Sequence, residues 1–98
     1  MTEVQKFEPG EEIFKALANA KRLSILHALD GKEMSVGDIT RLIHIRTPNV
    51  SQHLAVLKYL HIVKTRRHGT RVYYKATDPK ILECCAIVQH FAKKHRML

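Results

Sequence analysis

The sequence predicts a mainly α-helical protein with one β-hairpin, in the order helix, helix, helix, helix, hairpin, helix. Three observations predict this order. Apolar residues recur at helical spacing in five segments. A run of β-branched and aromatic residues near the middle of the chain is interrupted by Gly69, which is typical of two strands joined by a turn. The pair Thr47-Pro48 is typical of a helix start and separates the third helix from the fourth.

The first three helices are predicted from short apolar patterns and their caps. Residues 11–18 form the first helix. Asn19 can end it and cap the second helix, which runs through AKRLSILHALDGK. Ser35 and Asp38 have the spacing of a capping box, so SVGDITRLI is predicted to be the third helix. A turn follows at residues 44–46.

The fourth helix is predicted over Pro48–Leu60, with Thr47 as its N-cap. Val50, Leu54 and Leu57 cluster within about 60° around its axis and form the expected buried stripe. The opposite face offers amides, a hydroxyl, an imidazole and small apolar groups where an ordinary solvated face has Lys and Glu. Such groups read the edges of DNA bases. They are Asn49, Ser51, Gln52, His53, Ala55 and Val56.

The hairpin and a last helix complete the chain. Ile62–Arg66 and Arg71–Ala76 are predicted strands, and the four residues 67–70 (RHGT) are the predicted turn. The last helix is predicted over residues 78–96. Its apolar stripe favours packing against a second copy of the chain, because the small core is already covered by the other elements. This order is that of a winged helix-turn-helix, and we predict one domain over residues 1–98.

Positive charge is concentrated in one part of the chain. The net charge is +8, yet the nine Asp and Glu residues balance every Lys and Arg outside the segment from Ile39 to Thr77. That segment has no acid and carries eight basic residues: Arg41, Arg46, Lys58, Lys64, Arg66, Arg67, Arg71 and Lys75.

Such a concentration of charge indicates a partner that is a polyanion. A basic hairpin beside a reading helix suits DNA phosphates or a minor groove. We therefore predict that the chain binds double-stranded DNA. The predicted contacts are Arg46, Thr47, Asn49, Ser51, Gln52, His53, Lys58, Lys64, Arg66, Arg67, His68 and Arg71.

Other functional classes fit the sequence less well. An enzyme is not expected, because the chain has no glycine-rich phosphate loop and no plausible catalytic triad. No apolar run approaches the ~18 residues of a membrane span, and the acidic N-terminus is unlike a signal peptide, so we expect a cytoplasmic protein. An architectural DNA-binding protein remains an alternative. A winged helix used for protein contacts would not need the positive charge.

Three segments resemble the ArsR/SmtB repressors of bacteria and archaea, over about residues 11–83. They are FKALANAKRLSIL, EMSVGDI and TPNVSQHLAVLKYLHIVKTRRHGTRVYYKATDP. The resemblance implies a symmetric homodimer with the first and last helices at the seam. It also implies that the fourth helix enters the major groove and that the hairpin over residues 62–76 is the wing. Such proteins usually bind an inverted-repeat operator and release it when an effector binds.

The metal sites of that family are not preserved. Residues 35–38 read Ser-Val-Gly-Asp where soft-metal sensors often have Cys-Val-Cys-Asp, and a hydroxyl is a poor ligand for soft metals. Asp78 matches the first ligand of the zinc-type site. A shifted site that joins His90 and His95 to Asp78 or Glu83 remains an alternative. The other three ligand positions of the zinc-type site hold Lys80, Phe91 and Lys94.

Cys84 and Cys85 are the only cysteines, and in a reducing cytoplasm they are expected to be thiols. Two interpretations are open. The thiols are a sensor for oxidants, reactive sulfur or a thiophilic metalloid such as arsenite. Alternatively, they pack as small apolar side chains in a buried seam. The sequence predicts no cofactor apart from such a metalloid.

Overall fold

The computed structural model describes residues 1–96 and has the predicted order of helices and strands. The last two residues of the predicted domain lie outside the described residues. A short 3₁₀ turn at Gln5–Phe7 precedes the first helix. Within the described residues, no helix is long and apolar enough to cross a membrane. The elements are α1 Glu8–Leu17, α2 Ala20–Ala28, α3 Val36–Ile43, α4 Thr47–Tyr59, β1 Val63–His68, β2 Arg71–Ala76 and α5 Lys80–Lys94.

Polar side chains fix the starts of α2 and α3, as predicted. The side chain of Asn19 accepts hydrogen bonds from the backbone N–H groups of Lys21 and Arg22, at 3.0 and 3.1 Å. Ser35 Oγ accepts from the Asp38 N–H, and Asp38 Oδ2 accepts from the Ser35 N–H, both at 3.2 Å. The predicted capping box is therefore confirmed.

The outer helices differ from their predicted bounds. α1 begins at Glu8, before the predicted start, because Pro9 falls in the first turn, where its missing N–H is not needed. α5 covers a shorter range than predicted and begins after Pro79. The side chain of Asp78 lies outside the helix and accepts a hydrogen bond from the Lys80 N–H at 2.9 Å.

The start of α4 was predicted one residue too late. Arg46 occupies the N-cap position, and Thr47 is already helical. The prediction that Thr47 caps this helix was therefore wrong. Its hydroxyl lies 3.5 Å from the hydroxyl of Thr40 instead, which joins the end of α3 to the start of α4. Pro48 still lies in the first turn, where proline is tolerated.

The core lies between α2, α3 and α4. Val50, Leu54 and Leu57 are fully buried, so the predicted stripe of α4 is confirmed. Between α3 and α4, His44 has a left-handed backbone (φ 57°) and ends α3, which completes the helix-turn-helix. The residues of the core cluster are Ala16, Ile25, Leu26, Leu29, Ile39, Val50, Leu54, Leu57, Ile62 and Val63.

The hairpin turn is tighter than predicted. His68 pairs with Arg71 in the antiparallel register, so only Gly69 and Thr70 form the turn. The predicted four-residue turn was wrong, because Arg67 and His68 belong to β1. Gly69 has a φ of +62° at the first turn position, where a two-residue hairpin favours glycine.

A short bridge that the sequence did not predict fixes the hairpin beside the helix-turn-helix. The Tyr74 N–H donates to the Met34 carbonyl at 2.8 Å, and the Met34 N–H donates to the Tyr74 carbonyl at 3.0 Å. Met34 lies just before α3. The hairpin and the helix-turn-helix are therefore held in a defined relative position.

Candidate nucleic-acid interface

The outer face of α4 carries most of the predicted base-reading groups. Asn49, Ser51 and Gln52 are exposed, on the side of the helix away from the buried stripe. Val56 is half-buried and packs against the core. Part of this side chain, which was predicted to lie on the reading face, is therefore covered by the core.

Exposed polar and basic side chains mark both ends of α4. Arg46 and Thr47 lie at the N-terminal end, and Lys58 lies in the last turn. Within residues 1–96, neither Arg46 nor Lys58 forms an ion pair with a carboxylate. Their charges are therefore available to a partner outside the chain.

His53 differs from the other reading residues because it is half-buried and bonded within the chain. Its Nδ1 accepts a hydrogen bond from Arg22 Nε at 3.2 Å. Burial lowers the pKa of His53, and the positive charges of Arg22 and Lys21 lower it further. This imidazole is therefore neutral at pH 7. The sequence reasoning missed Arg22, which lies 31 residues away in the chain.

The two faces of the hairpin have different compositions. One face continues towards the core, with Val63 and Ala76 at its base. Apart from exposed Arg67 near the tip, the residues of this face are buried or half-buried. The opposite face is exposed and basic. Among its residues, only Tyr73 is half-buried. The basic residues of this outer face are Lys64, Arg66, His68, Arg71 and Lys75.

Basic side chains lie opposite each other across this outer face. Lys64 lies directly opposite Lys75, and His68 lies opposite Arg71. Like charges in directly opposed positions destabilise a strand pair, so the Lys64–Lys75 pair does not stabilise the hairpin. Lys75 was absent from the predicted contacts. The alternation of side chains along β2, which aligns it with Arg71, was the signal that would have found it.

Arg66 is engaged within the chain. Its Nε donates to Glu33 Oε2 at 3.0 Å, and its guanidinium carbon lies 5.2 Å from the centre of the Tyr73 ring. Glu33 precedes Met34, the residue that bridges to β2. Arg66 therefore helps to fix the hairpin beside α3. Its guanidinium is less available to bind a DNA phosphate than that of Arg67, its neighbour on the other face.

That neighbour, Arg67, lies on the opposite face of the hairpin, the face that includes Val63 and continues towards the core. It lies near the tip, beyond the core, and is exposed. Arg67 has no ion-pair partner within the described residues. The tip of the hairpin therefore presents positive charge on both of its faces.

The two cysteines of α5 lie in different surroundings. Cys85 is half-buried and packs against the core, beside Ile81 and Leu82. Burial raises the pKa of the Cys85 thiol, and the adjacent Cys84 raises it further. Cys84 is exposed. It lies three, four and seven residues before Ile87, Val88 and Phe91, and therefore shares their exposed face of the helix.

The alternative metal ligands do not meet within one chain. The described residues contain no group of three His, Cys, Asp or Glu side chains placed to hold a metal ion. Asp78 precedes the start of α5, and His90 lies about 15 Å further along that helix. The ring of His95 lies 4.6 Å from the ring of Phe91. One chain alone therefore offers no metal site from these residues.

The sequence matches a known family and several of its members. The pattern of the arsR family of bacterial regulatory proteins matches residues 19–65. The transcriptional regulator KmtR of Mycobacterium tuberculosis is 42% identical over 70 residues, which are 71% of this chain and 54% of KmtR. The transcriptional repressor SdpR of Bacillus subtilis is 37% identical over 82 residues, which are 84% of this chain and 91% of SdpR.

Solved structures with the same architecture cover almost the whole chain. Reduced HlyU from Vibrio cholerae superposes with a TM-score of 0.80 at 28% identity, over 93% of this chain and 97% of HlyU. A homodimeric winged helix-turn-helix DNA-binding domain from Mycobacterium bovis gives a TM-score of 0.82 at 31% identity, over 97% and 90% of the two chains. The predicted winged helix-turn-helix fold is confirmed.

Proposed function

This chain belongs to the ArsR family of bacterial regulatory proteins, and on that premise we propose that it is a homodimeric transcriptional repressor that binds an inverted-repeat operator and releases it in response to an effector. α4 enters the major groove and reads bases. The hairpin is the wing and contacts the phosphates of the DNA backbone.

The observation that carries this proposal is the composition of one continuous segment of the chain. From Ile39 to Thr77 the chain has eight basic residues and no acid, and this segment forms the second half of α3, α4 and the hairpin. Among the exposed residues of α4, Asn49 and Gln52 offer the amides that pair with adenine edges. Basic residues flank them at both ends of the helix and on the hairpin. Phosphate contacts and base contacts are therefore available side by side.

The homodimer is supported by apolar side chains that α1 and α5 leave in water. Phe14 on α1 is 67% exposed, and Ile87 and Phe91 on α5 are 69% and 63% exposed. Side chains of this size dominate the energetics of protein interfaces when they are buried. A two-fold axis along these helices would place two copies of α4 on one side of the dimer. The matching operator has two half-sites related by the same symmetry.

For the effector response, we propose that Cys84 is the thiol switch. Cys84 is exposed on the same helix face as Val88 and Phe91, so it would lie in the seam, where the copy of this helix brings a second Cys84 close. A peroxide could then oxidise the two thiols to one disulfide and itself be reduced to water. Arsenite could bind the same thiols. Cys85 is the less reactive of the two because burial keeps its thiol protonated.

The first experiment is DNA binding by fluorescence anisotropy at fixed salt. The duplexes are the DNA upstream of the protein's own gene and a scrambled duplex of equal length. A repressor should prefer the first by about 10³-fold or more. Equal affinity for both, with a steep salt dependence, would instead identify an architectural DNA-binding protein.

The second experiment repeats the measurement with reduced protein, peroxide-treated protein and arsenite-treated protein. We expect that at least one treatment releases the DNA. Cys84→Ser should abolish this release, while the matched variant Cys85→Ser should retain it. If both variants still release the DNA, the thiols are packing residues and the effector acts elsewhere.

A further inference from the structure

Arg22 is half-buried, and its hydrogen bonds go to neutral acceptors. It lies near the start of α2, and its Nη1 donates to the Ala16 carbonyl of α1 at 3.2 Å. Its Nε donates to His53 Nδ1 on α4, also at 3.2 Å. Among residues 1–96, no carboxylate forms an ion pair with it. Arg22 therefore depends on two neutral acceptors, and it joins three helices.

The contact with His53 determines where the imidazole carries its proton. Arginine is a donor only and stays protonated at any working pH. The Nδ1 of His53 must therefore be the acceptor, and the proton of the neutral ring must be on Nε2. A proton on Nδ1 would place two N–H donors against each other, and a second proton on the ring would add two opposed positive charges. Within residues 1–96, Nε2 has no hydrogen-bond partner in the chain.

The surroundings of His53 also favour the neutral imidazole. The charged groups that influence it are Arg22 and Lys21, both on α2 and both positive. No acid lies between Ile39 and Thr77, so neither α4 nor the hairpin supplies a carboxylate to stabilise an imidazolium. Burial also disfavours the charged ring. The pKa of His53 is consequently lowered, first by burial and then by the charges of Arg22 and Lys21.

We propose that Arg22 is a positioning residue for DNA recognition, which holds His53 in the Nε2–H form so that α4 presents one fixed hydrogen-bond donor to the DNA. The acceptor is a phosphate oxygen or a purine N7 or O6 in the major groove. This inference rests on the proposed DNA-binding function for the role of the donor, but the state of the free imidazole does not depend on that function.

The first test observes His53 in the free protein by long-range ¹H–¹⁵N NMR. In the unmodified protein we expect an unprotonated Nδ1, a protonated Nε2 and a titration midpoint below the ordinary value of histidine. Arg22→Met should give a mixture of both tautomers and a higher midpoint. The matched control Lys21→Met removes a neighbouring charge without the contact, and its tautomer should not change. A protonated Nδ1 or a tautomer mixture in the unmodified protein would overturn the proposal.

The second test measures DNA affinity as a function of pH. Losing the hydrogen bond of His53 in both protomers should weaken the binding of Arg22→Met at pH 8 by roughly tenfold or more. As the pH falls to 6, His53 should gain a proton in this variant and add a positive charge, so its affinity should recover more steeply than that of the unmodified protein. A merely structural loss would lower the affinity by the same factor at every pH.

A third variant keeps the proposal testable if Arg22→Met folds poorly. In His53→Gln, the amide oxygen can accept from Arg22 and the amide nitrogen can donate, so we expect affinity within a few-fold of the unmodified protein. His53→Phe has neither group and should bind about tenfold more weakly. Equal affinities of the two variants would refute the role of the donor. If the unmodified protein has no affinity for DNA, the proposed function fails, while the NMR result still decides the state of the imidazole.

Discussion

Removing Lys75 should weaken DNA binding and at the same time stabilise the protein. Lys75 lies directly opposite Lys64 on the exposed face of the hairpin. The two ammonium groups repel each other, and no carboxylate within residues 1–96 forms an ion pair with either of them. Lys75→Gln keeps a long polar side chain but removes one of the two charges. If the pair binds phosphate, loss of the charge affects binding and folding in opposite directions.

The size of both effects can be estimated. Each phosphate contact contributes about 0.9 to the slope of log affinity against log salt concentration. The proposed homodimer carries Lys75 twice, so the slope should fall by about 1.8, and between 50 and 200 mM salt the variant should lose about 12-fold less affinity than the unmodified protein. Relief of the repulsion between two exposed cross-strand charges should stabilise the fold by about 0.5 kcal/mol. For a chain of this length, that corresponds to a rise in Tm of about 2–4 °C.

The assay combines anisotropy titrations at several salt concentrations with thermal unfolding at one protein concentration. Lys6→Gln is the matched control, because it removes the same charge outside the segment from Ile39 to Thr77. The control should leave the salt slope unchanged. An unchanged slope in Lys75→Gln would show that Lys75 does not contact phosphate. A lower Tm would show that the opposed lysines do not repel each other as the register indicates.

Three further changes test other parts of the surface. Gln52→Ala should reduce the preference for the operator over scrambled DNA by about 1–3 kcal/mol without changing the salt slope, as measured by anisotropy. Phe91→Glu should shift the protein towards the monomer in sedimentation experiments, because it places a charge in the proposed seam. The pKa of Asp38 is lowered, first by the hydrogen bond from the Ser35 N–H and then by the Ser35 hydroxyl. The stability that ionised Asp38 supplies is therefore present above a pH of about 3.9 and is lost as the pH falls through the lowered pKa. The difference in urea midpoint between Asp38→Ala and the unmodified protein should consequently be largest near neutral pH and vanish in acid.

Features that depend on neighbouring residues could be predicted from the sequence. The stripe of Val50, Leu54 and Leu57 follows from helical spacing alone, and all three side chains are fully buried. The capping box of Ser35 and Asp38 likewise follows from residues three apart. In both cases the interaction lies within one or two helical turns, so the chain itself brings the groups together.

Contacts between distant parts of the chain could not be predicted in this way. Nothing near Arg22 indicates that His53 is its acceptor, because the packing of α2 against α4 brings the two together. The same holds for Glu33, which takes up the charge of Arg66 across 33 residues. The predicted list of DNA contacts therefore treated Arg66 and Arg67 as equivalent, although only Arg67 has no ion-pair partner within the described residues.

Several side-chain arrangements in this chain lower the folding stability of an isolated molecule. Phe14 and Phe91 expose most of their rings to water, Lys64 faces Lys75, and Arg22 is half-buried without an acid. A small domain has little stability to spare. Each arrangement lies where the proposed partners act: the phenylalanines at the seam, the lysines at the phosphates and Arg22 behind the reading helix. A second copy would cover the phenylalanines, and DNA would place phosphates beside the lysines. Binding to the folded state alone stabilises that state. The proposed dimer bound to its operator would therefore be more stable than the isolated chain.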